Sequence, residues 1–403
     1  MDTLPNLPWK EYDRVICIPT YNEFEYLPQV LEDACSLSPS TIVVIHNNCR
    51  VDSPLEVQQN NQRLHDWLLS FPHSSEAHHH LIQFHNIDIW LLDYTHPARR
   101  FPTHEGVGLA RHQLGEFACA LINKGIVTTP WMWCTDGDVR LPDNYLDVPT
   151  IPKGVELLGY VHQPAPLELS LYEIGLRYYT LGLRWADSTI AFPTIGSCIV
   201  IHADTFQKIY GFPKRQAAED FYLLNKAVKV DPVHYASHKT LTIRGRPSDR
   251  VPFGTGQGMR AIAEDNLQYN LYHPTIFSIL KQWNAVLKTE PDETLINKLQ
   301  TIVPDYPYFK KLGKVLRQPC PKKQRIRRRF VFFDCFQTMR WVHHLRDTQY
   351  PSIPIAEALF KAPFINIKTS IPSPSSDTLE QWQNIQQQVY QQESTCRGKT
   401  FQL

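Results

Sequence analysis

The N-terminal half of the chain alternates short apolar runs with stretches in which apolar residues recur at helical spacing. The run TIVVIH at 41–46 is rich in β-branched residues, as buried strands are, whereas Leu27, Val30, Leu31 and Ala34 repeat every three or four positions. The pattern predicts strands at 14–19, 41–46, 87–92 and 131–135, and further helices at 54–69 and 107–122. Such alternation predicts an α/β fold, a mostly parallel sheet flanked by helices, with ligands bound at the carboxyl ends of the strands.

The pattern becomes less regular after residue 142. It predicts a helix at 167–185, a strand at 198–201, a helix at 217–230 and a loop rich in Gly and Arg at 244–258. The remaining residues read as mainly helical, with a basic run at 319–329 and a Gln-rich tail that we expect to fray. We therefore divide the chain into an α/β domain at 1–260, which is the candidate functional domain, and a mainly helical C-terminal region at 261–403.

Composition narrows the class of protein. Hydrophobic residues make up 42% of the 403 residues and charged residues 20%, as in a globular protein. The 41 basic and 40 acidic residues nearly cancel, so no nucleic-acid partner is expected from overall charge. The nine cysteines include no CxxC pair, which argues against a zinc site or a disulfide framework and favours a reducing compartment. The sequence lacks a signal-peptide pattern and any apolar run long enough for a membrane span, and we expect a cytoplasmic protein.

The strongest chemical signal is the segment Thr135-Asp136-Gly137-Asp138 directly after the strand WMWC. Two carboxylates separated by a glycine at a strand end can face the same cleft, where their oxygens suit a hard divalent cation. The alternative is an Asp-Gly turn whose carboxylates bond only to nearby backbone N–H groups. Asp136 and Asp138 are thus candidate metal ligands.

Two further segments lie where a nucleotide would bind. The first strand ends in Pro19, Thr20, Tyr21, Asn22 and Glu23, where a base could stack on the Tyr21 ring; the alternative is an ordinary helix N-terminal turn.

Glu105-Gly106-Val107-Gly108 opens a predicted helix, and Arg111 follows one turn later. The glycines permit close backbone approach and Arg111 can reach a phosphate, although a well-packed helix with a solvated arginine has the same pattern.

The fourth segment, 211–220 (GFPKRQAAED), places Glu219 and Asp220 in the first turn of a predicted helix. Carboxylates are favoured there by the helix dipole whatever the function. The functional interpretation is a general base that deprotonates an acceptor hydroxyl.

Together the four segments resemble the GT-A-type nucleotide-sugar glycosyltransferases of the family 2 kind. The resemblance covers roughly residues 14–258. It implies a GT-A (Rossmann-like) fold, a DxD-type motif at Asp136 and Asp138 that holds Mn²⁺ or Mg²⁺ and the donor diphosphate, and Asp220 as catalytic base with Glu219 as neighbour or substitute. It also implies inversion at the anomeric carbon. The candidate nucleotide-sugar-binding residues are Pro19, Tyr21, Glu23, Asn47, Asn48, Gly106, Arg111, Asp136 and Arg250.

The sequence departs from the family pattern at two places. Family members usually carry an acidic pair after the second strand, whereas this chain has His46-Asn47-Asn48-Cys49, which leaves the donor nucleotide open. The QxxRW signature of processive synthases is also missing, because Leu181 stands at the required position before Arg184-Trp185. Single-sugar transfer is therefore expected, to an acceptor that is a glycan, a lipid-linked molecule or a small molecule.

Several assignments stay open at the level of sequence. Arg244, Arg246 or Arg250 of the Gly/Arg loop can compensate the diphosphate charge, and a third metal ligand can be any of His162, His202 and His238. Successive residues His78, His79 and His80 cannot all face one site and read as a polar loop. The basic run is either a solvated helix face or a surface for an anionic partner.

Two other classes of function compete with the glycosyltransferase interpretation. A nucleotidyltransferase also uses a nucleotide-binding sheet and paired aspartates, but normally has a Gly-rich loop with a basic residue directly after the first strand. A scaffold that binds nucleotide-sugars without turnover is the non-catalytic alternative. The presence of Asp136, Asp138 and Asp220 favours an enzyme.

Overall fold

The computed structural model describes residues 4–245 and 254–403, apart from the side chain of Lys323. The strands β1 to β13 are Arg14–Thr20, Thr41–Asn48, His73–Glu76, His79–Phe84, Ile87–Tyr94, Trp131–Cys134, Val139–Arg140, Val155–Gln163, Ile199–His202, Val233–Arg244, Asn270–Leu271, Ile353–Pro354 and Lys399–Phe401. The helices α1 to α14 are Leu27–Leu37, Leu55–Leu69, Val107–Asn123, Leu167–Trp185, Ala203–Lys208, Glu219–Ala227, Thr255–Glu264, Pro274–Thr289, Asp292–Ile302, Phe309–Leu316, Arg325–Phe332, Cys335–Thr348, Ile355–Lys361 and Leu379–Ser394.

The chain divides into two compact units. The first consists of Met1–Pro164 and Thr194–Gln257, and the second of Ala165–Pro193 and Gly258–Leu403. Helix α4 therefore groups with the C-terminal residues, whereas the sequence-based division at residue 260 places it in the first domain.

The first unit is built on one mixed sheet in the order β10-β8-β9-β6-β1-β2-β5-β4-β3, with β7 paired to β10. Strand β1 runs parallel to β2 and β6, β2 to β5, and β8 to β10. Strand β9 is antiparallel to both β6 and β8, and β4 is antiparallel to β3 and β5. The α/β prediction is confirmed, but the expectation of a mostly parallel sheet is wrong.

The parallel centre of the sheet brings the candidate segments together. Thr20 at the end of β1 lies opposite Asn47 of β2, and Cys17 lies opposite Cys134, the last residue of β6. Strands β2 and β6 are fully buried, β1 is buried except at Arg14, and helix α3 packs on β1 and β2. The segments that follow β1, β2 and β6 consequently leave the same edge of the sheet.

The second unit is mainly helical. Helix α14 packs on α4, and Arg177 of α4 pairs with Glu173 and with Glu393 of α14 at N–O distances of 2.7 and 3.0 Å. These three side chains are buried, and a buried ion pair of this kind is costly to break. The tail predicted to fray is thus an ordered helix tied to α4.

Three arginines of the basic run, Arg325, Arg328 and Arg329, lie close to one carboxylate of the second unit. Asp292 accepts from Arg328 at 3.0 Å and from Arg329 at 2.6 Å, and Arg325 lies 3.7 Å from it. Arg329 is buried and also donates to the Leu287 carbonyl. Much of this positive charge is therefore used within the second unit.

Candidate functional site

The Asp-Gly-Asp turn follows β6 and is held at both ends by backbone hydrogen bonds. Thr135 N donates to the Cys17 carbonyl at 3.1 Å, which fixes the turn to β1. After the turn, Val139 of β7 pairs with Ile243 of β10, and Arg244 N donates to the Asp138 carbonyl at 3.0 Å. Both carboxylates are half-buried, so each retains access to solvent.

Glu23, from the segment after β1, lies against this turn. A Cβ atom placed on Gly137 would be 3.2 Å from Cβ and 3.3 Å from Cγ of Glu23. Gly137 therefore permits a close approach that a larger residue would resist. The PTYNE segment and the Asp-Gly-Asp turn are in contact, as the strand order requires.

Arg111 is the centre of the site. Its Nη2 donates to Asp136 Oδ1 at 2.6 Å and its Nε donates to Glu219 Oε1 at 3.1 Å. The arginine is only 4% exposed and Glu219 is 5% exposed. One buried cation thus joins the turn after β6 to the start of α6, two segments that are about 80 residues apart in the sequence.

One nitrogen of the Arg111 guanidinium is available to a ligand. Its Nη1 is buried and has no hydrogen-bond partner among the described residues. The backbone of Gly196 lies against the same group, since a Cβ there would be 2.8 Å from Nη2. A buried donor without a partner costs free energy, and an anionic ligand would remove that cost.

The charged groups of this cluster shift one another's pKa values. Burial opposes the charge of Arg111, but Asp136 and Glu219 outweigh it and raise its pKa, so that it stays protonated. Burial raises the pKa of Glu219 against the opposing effect of Arg111. Burial, followed by the neighbouring charge of Glu219, raises the pKa of Asp220 to about 7. An acid with this pKa is suited to accept a proton near neutral pH.

The backbone before α6 is held against the start of α3. Gly108 N donates to the Arg215 carbonyl at 3.0 Å, and a Cβ on Gly108 would lie 2.4 Å from the Pro213 carbonyl oxygen. A Cβ on Gly106 would lie 3.3 Å from Gln216 Cα. Only glycine allows this approach at 108, and the approach places Glu219 within reach of Arg111.

Helix α6 carries the candidate base, Asp220, at its second residue. Ala218 precedes it in the left-handed conformation with φ of 61°, an unusual conformation for a residue with a side chain. Asp220 is half-buried, and its Oδ1 accepts from Phe221 N at 2.7 Å. The strained entry and this local bond fix the carboxylate at the first turn.

Asn47 and Asn48 lie at the predicted edge but use their amides within the protein. Asn47 Nδ2 donates to the Asn61 carbonyl at 3.0 Å and Asn48 Nδ2 to the Thr20 carbonyl at 2.8 Å. Asn61 of α2 completes the network, donating to the Asn48 carbonyl and accepting from Asn22 N. Asn47, Asn48 and Asn61 are buried, so this geometry gives them a supporting role for the loop after β1.

Tyr21 belongs to the same loop after β1. It is half-buried, its hydroxyl lies 2.9 Å from Ser53 Oγ, and the Arg50 guanidinium lies 5.6 Å from the ring centre. Pro19 pairs with His46 in the sheet register and sets the loop's starting point. Sequence reasoning missed Asn61 and Ser53, since nothing at their own positions distinguishes them from other polar helix and loop residues.

The other candidate residues are the arginines of the Gly/Arg loop and the histidines considered as a third metal ligand. Arg246 and Arg250 lie outside the described residues. Arg244 lies with its guanidinium 4.6 Å from the Tyr26 ring centre. Of the candidate third metal ligands, His202 accepts from Asp204 N at the start of α5, His162 is buried in β8, and His238 is exposed.

The two carboxylates at the turn suit a hard cation only if a substrate supplies further oxygen ligands. Within 4–245 and 254–403, no group of three or more His, Cys, Asp or Glu side chains is placed to hold a metal ion. Mg²⁺ is commonly held by one or two carboxylates together with substrate phosphates and water. Asp136 and Asp138, separated by one residue and both partly exposed, match that smaller set.

No helix among the described residues combines the length and apolarity that crossing a bilayer requires.

Comparisons with known proteins leave the family open. No protein-family model matches the sequence, and no curated protein matches it. Among solved structures, the crystal structure of residues 1–349 of S. aureus TarS matches with a TM-score of 0.38 and 14% identity, over 84% of this chain and 93% of that one. A match with these values carries no functional conclusion, so the function has to be argued from the site.

Proposed function

We propose that this protein is a glycosyltransferase that moves a single sugar from a nucleotide-sugar donor to an acceptor hydroxyl. The observation that supports it most directly is the position of Arg111, which binds Asp136 and Glu219 at once. This contact joins three of the four segments in which the sequence places donor and acceptor chemistry, while Glu23 against Gly137 adds the fourth. The GT-A fold and the family 2 kind are the finer form of the same proposal.

The donor diphosphate is assigned to the edge formed by Asp136, Asp138 and Arg111. Asp136 and Asp138 would hold Mn²⁺ or Mg²⁺, which when bound would neutralise charge that develops on the leaving diphosphate. The buried Nη1 of Arg111 supplies a second positive group, and we assign it as a hydrogen-bond donor to a phosphate oxygen. Tyr21 and Glu23, with the backbone at Pro19 and Gly106, complete the proposed donor site.

Asp220 is assigned as the general base. As the acceptor hydroxyl oxygen bonds to the anomeric carbon, the bond from that carbon to the diphosphate oxygen breaks and its electron pair leaves with the diphosphate. The hydroxyl proton passes to Asp220. One displacement of this kind inverts the configuration at the anomeric carbon. Glu219 accepts a hydrogen bond from Arg111 and so positions its guanidinium. The charge of Glu219 also raises the pKa of Asp220.

The test is a panel of nucleotide-sugars incubated with Mn²⁺ or Mg²⁺, with the release of nucleoside diphosphate as readout. We expect turnover of at least one donor, loss of turnover with a chelator, and loss in the Asp136→Asn, Asp138→Asn and Asp220→Asn variants. Asp143→Asn, at an exposed position in the next loop, is the matched control and should retain activity.

The competing functions give different products. A nucleotidyltransferase would release pyrophosphate from a nucleoside triphosphate and a sugar phosphate. A binding scaffold would retain nucleotide-sugar without releasing any nucleotide. Turnover that is unchanged by the chelator and by both aspartate substitutions at the turn would contradict the proposed donor site.

A further inference from the structure

A cleft in the second unit gathers positive charge away from the site described above. It has a volume of about 290 Å³ and lies where the end of α4, the end of α8 and strand β13 meet. Among the described residues that line it, Arg184, Lys288 and Lys399 contribute cationic side chains and Asp187 is the one acidic residue. The cleft therefore carries a net positive charge of two (three minus one), which favours an anionic ligand.

The wall of the cleft is fixed by its own hydrogen bonds. Lys288 Nζ donates to the Asp187 carbonyl at 3.0 Å, and Arg184 Nε donates to the Ala191 carbonyl at 3.1 Å. Asp187 lies in the left-handed conformation with φ of 53°, which turns the chain sharply after α4. These contacts hold the turn 187–191 in place, so the cleft is formed before any ligand arrives.

The remaining lining groups match a ligand that is more than a bare anion. Ser188, Thr189 and Gln402 offer hydroxyl and amide groups, and Asp187 offers a carboxylate that can accept from sugar hydroxyls. The Phe401 ring, packed between Phe192 and the Arg184 guanidinium, gives one apolar wall. A volume of this size accommodates a single sugar ring but no dinucleotide.

We propose that this cleft binds a monosaccharide phosphate, with the phosphate at the lysines and the sugar hydroxyls at Asp187 and Gln402. The proposal rests on the second unit alone and does not depend on the proposed transferase activity. The recognising chemistry is a phosphate dianion attached to a polyhydroxylated ring.

The test is isothermal titration calorimetry of the full chain with glucose 6-phosphate, glucose and inorganic phosphate as probes. We expect glucose 6-phosphate to bind more tightly than either of the other two. The key variant is Lys399→Glu, because Lys399 is exposed and its substitution removes one cation and adds one anion. Reversing a charge at contact distance should weaken binding by at least about tenfold.

Lys310→Glu is the matched control, since Lys310 is an exposed lysine of α10 that does not line the cleft. It should bind glucose 6-phosphate as the wild type does. Hydrogen exchange in the presence of the same probe should slow at 187–191 and 399–402. Equal binding by the two variants, protection confined to the first unit, or equal binding of glucose and glucose 6-phosphate would each overturn the proposal.

Discussion

Arg111 shows how one side chain can assemble a site from distant segments. A buried guanidinium is costly unless its donors are paired, and here two carboxylates from different elements pair with it. Glu219 is equally dependent on the arginine, because it too is buried. The pair is therefore part of the fold as well as part of the proposed donor site.

Replacing Arg111 by Met should expose this dual role. The substitution leaves Glu219 buried without its cation, and removing one partner of a buried pair typically costs about 3–5 kcal/mol. Combining it with Glu219→Gln should recover part of that loss, while donor turnover stays low in both variants. The free energy of unfolding, measured with denaturant, and nucleotide release report the two effects separately. No recovery in the double variant would show that the pair does not contribute to stability.

The pKa of Asp220 predicts a pH dependence with a definite sign. Its carboxyl group is protonated below about pH 7 in the free protein and cannot then accept a proton. We expect kcat/KM to rise with pH up to a midpoint near 7 and then to level off. Glu219→Gln removes a charge that raises this pKa, so the midpoint should move to lower pH. Asp143→Asn should leave it unchanged, and a profile that is flat from pH 5 to 8 would contradict the role of Asp220.

Residue types at strand ends predict which segments meet in the folded chain better than they predict which atoms face a ligand. Asp136, Glu23 and Arg111 follow from their positions relative to predicted strands and helices. Asn47 and Asn48 follow from the same rule, yet their amides are used by partners such as Asn61. Asn61 lies in α2, and only the folded structure shows that it bonds to Asn47 and Asn48.

At the level of elements, continuous apolar runs and helical spacing locate most of the first unit. The prediction of 167–185 matches α4, and the prediction of 54–69 differs from α2 by one residue. The hairpin of β3 and β4 is not predicted, because His79 and His80 are polar residues in a strand. The direction of β9 is also not encoded in its own residues, since a short buried strand reads alike in either orientation.

Substitution of Gly108 tests whether the proposed site depends on the contact between α3 and the backbone before α6. In Gly108→Ala the new Cβ would lie 2.4 Å from the Pro213 carbonyl oxygen and 2.6 Å from that of Arg215. The two segments must separate, so Arg111 and Glu219 should lose their alignment and turnover should fall at least about tenfold. Nucleotide release and a thermal melt measure the two consequences.

The control is Gly313→Ala in α10, where the nearest atom to the new Cβ is the flexible end of Ile296 at 3.2 Å. Alanine generally favours a helix over glycine, so this variant should retain both activity and stability. Full activity in Gly108→Ala would show that the site does not depend on the close approach.

At the scale of the whole molecule, the division into units follows contacts that no local pattern contains. Nothing in the sequence of helix α4 identifies its partner, and its place in the second unit depends on α14, some 200 residues later. The buried Arg177 that joins them is a charged residue on a largely apolar helix, a sign of a distant carboxylate. The identity of that carboxylate, Glu393, lies beyond what spacing can give.

The division into two units also predicts where hydrogen exchange should slow when a donor nucleotide binds. If the donor binds the edge formed by Asp136, Asp138 and Arg111, a nucleoside diphosphate with Mn²⁺ should slow hydrogen exchange at 20–27, 106–111, 135–140 and 219–223, because binding to the native state suppresses local opening there. Those segments all belong to the first unit. Exchange in α9 to α12 should be unaffected, and Asp138→Asn, matched against Asp143→Asn, should abolish the protection. Protection that appears instead in the second unit would place the nucleotide elsewhere and remove the basis for assigning Asp220 as the base.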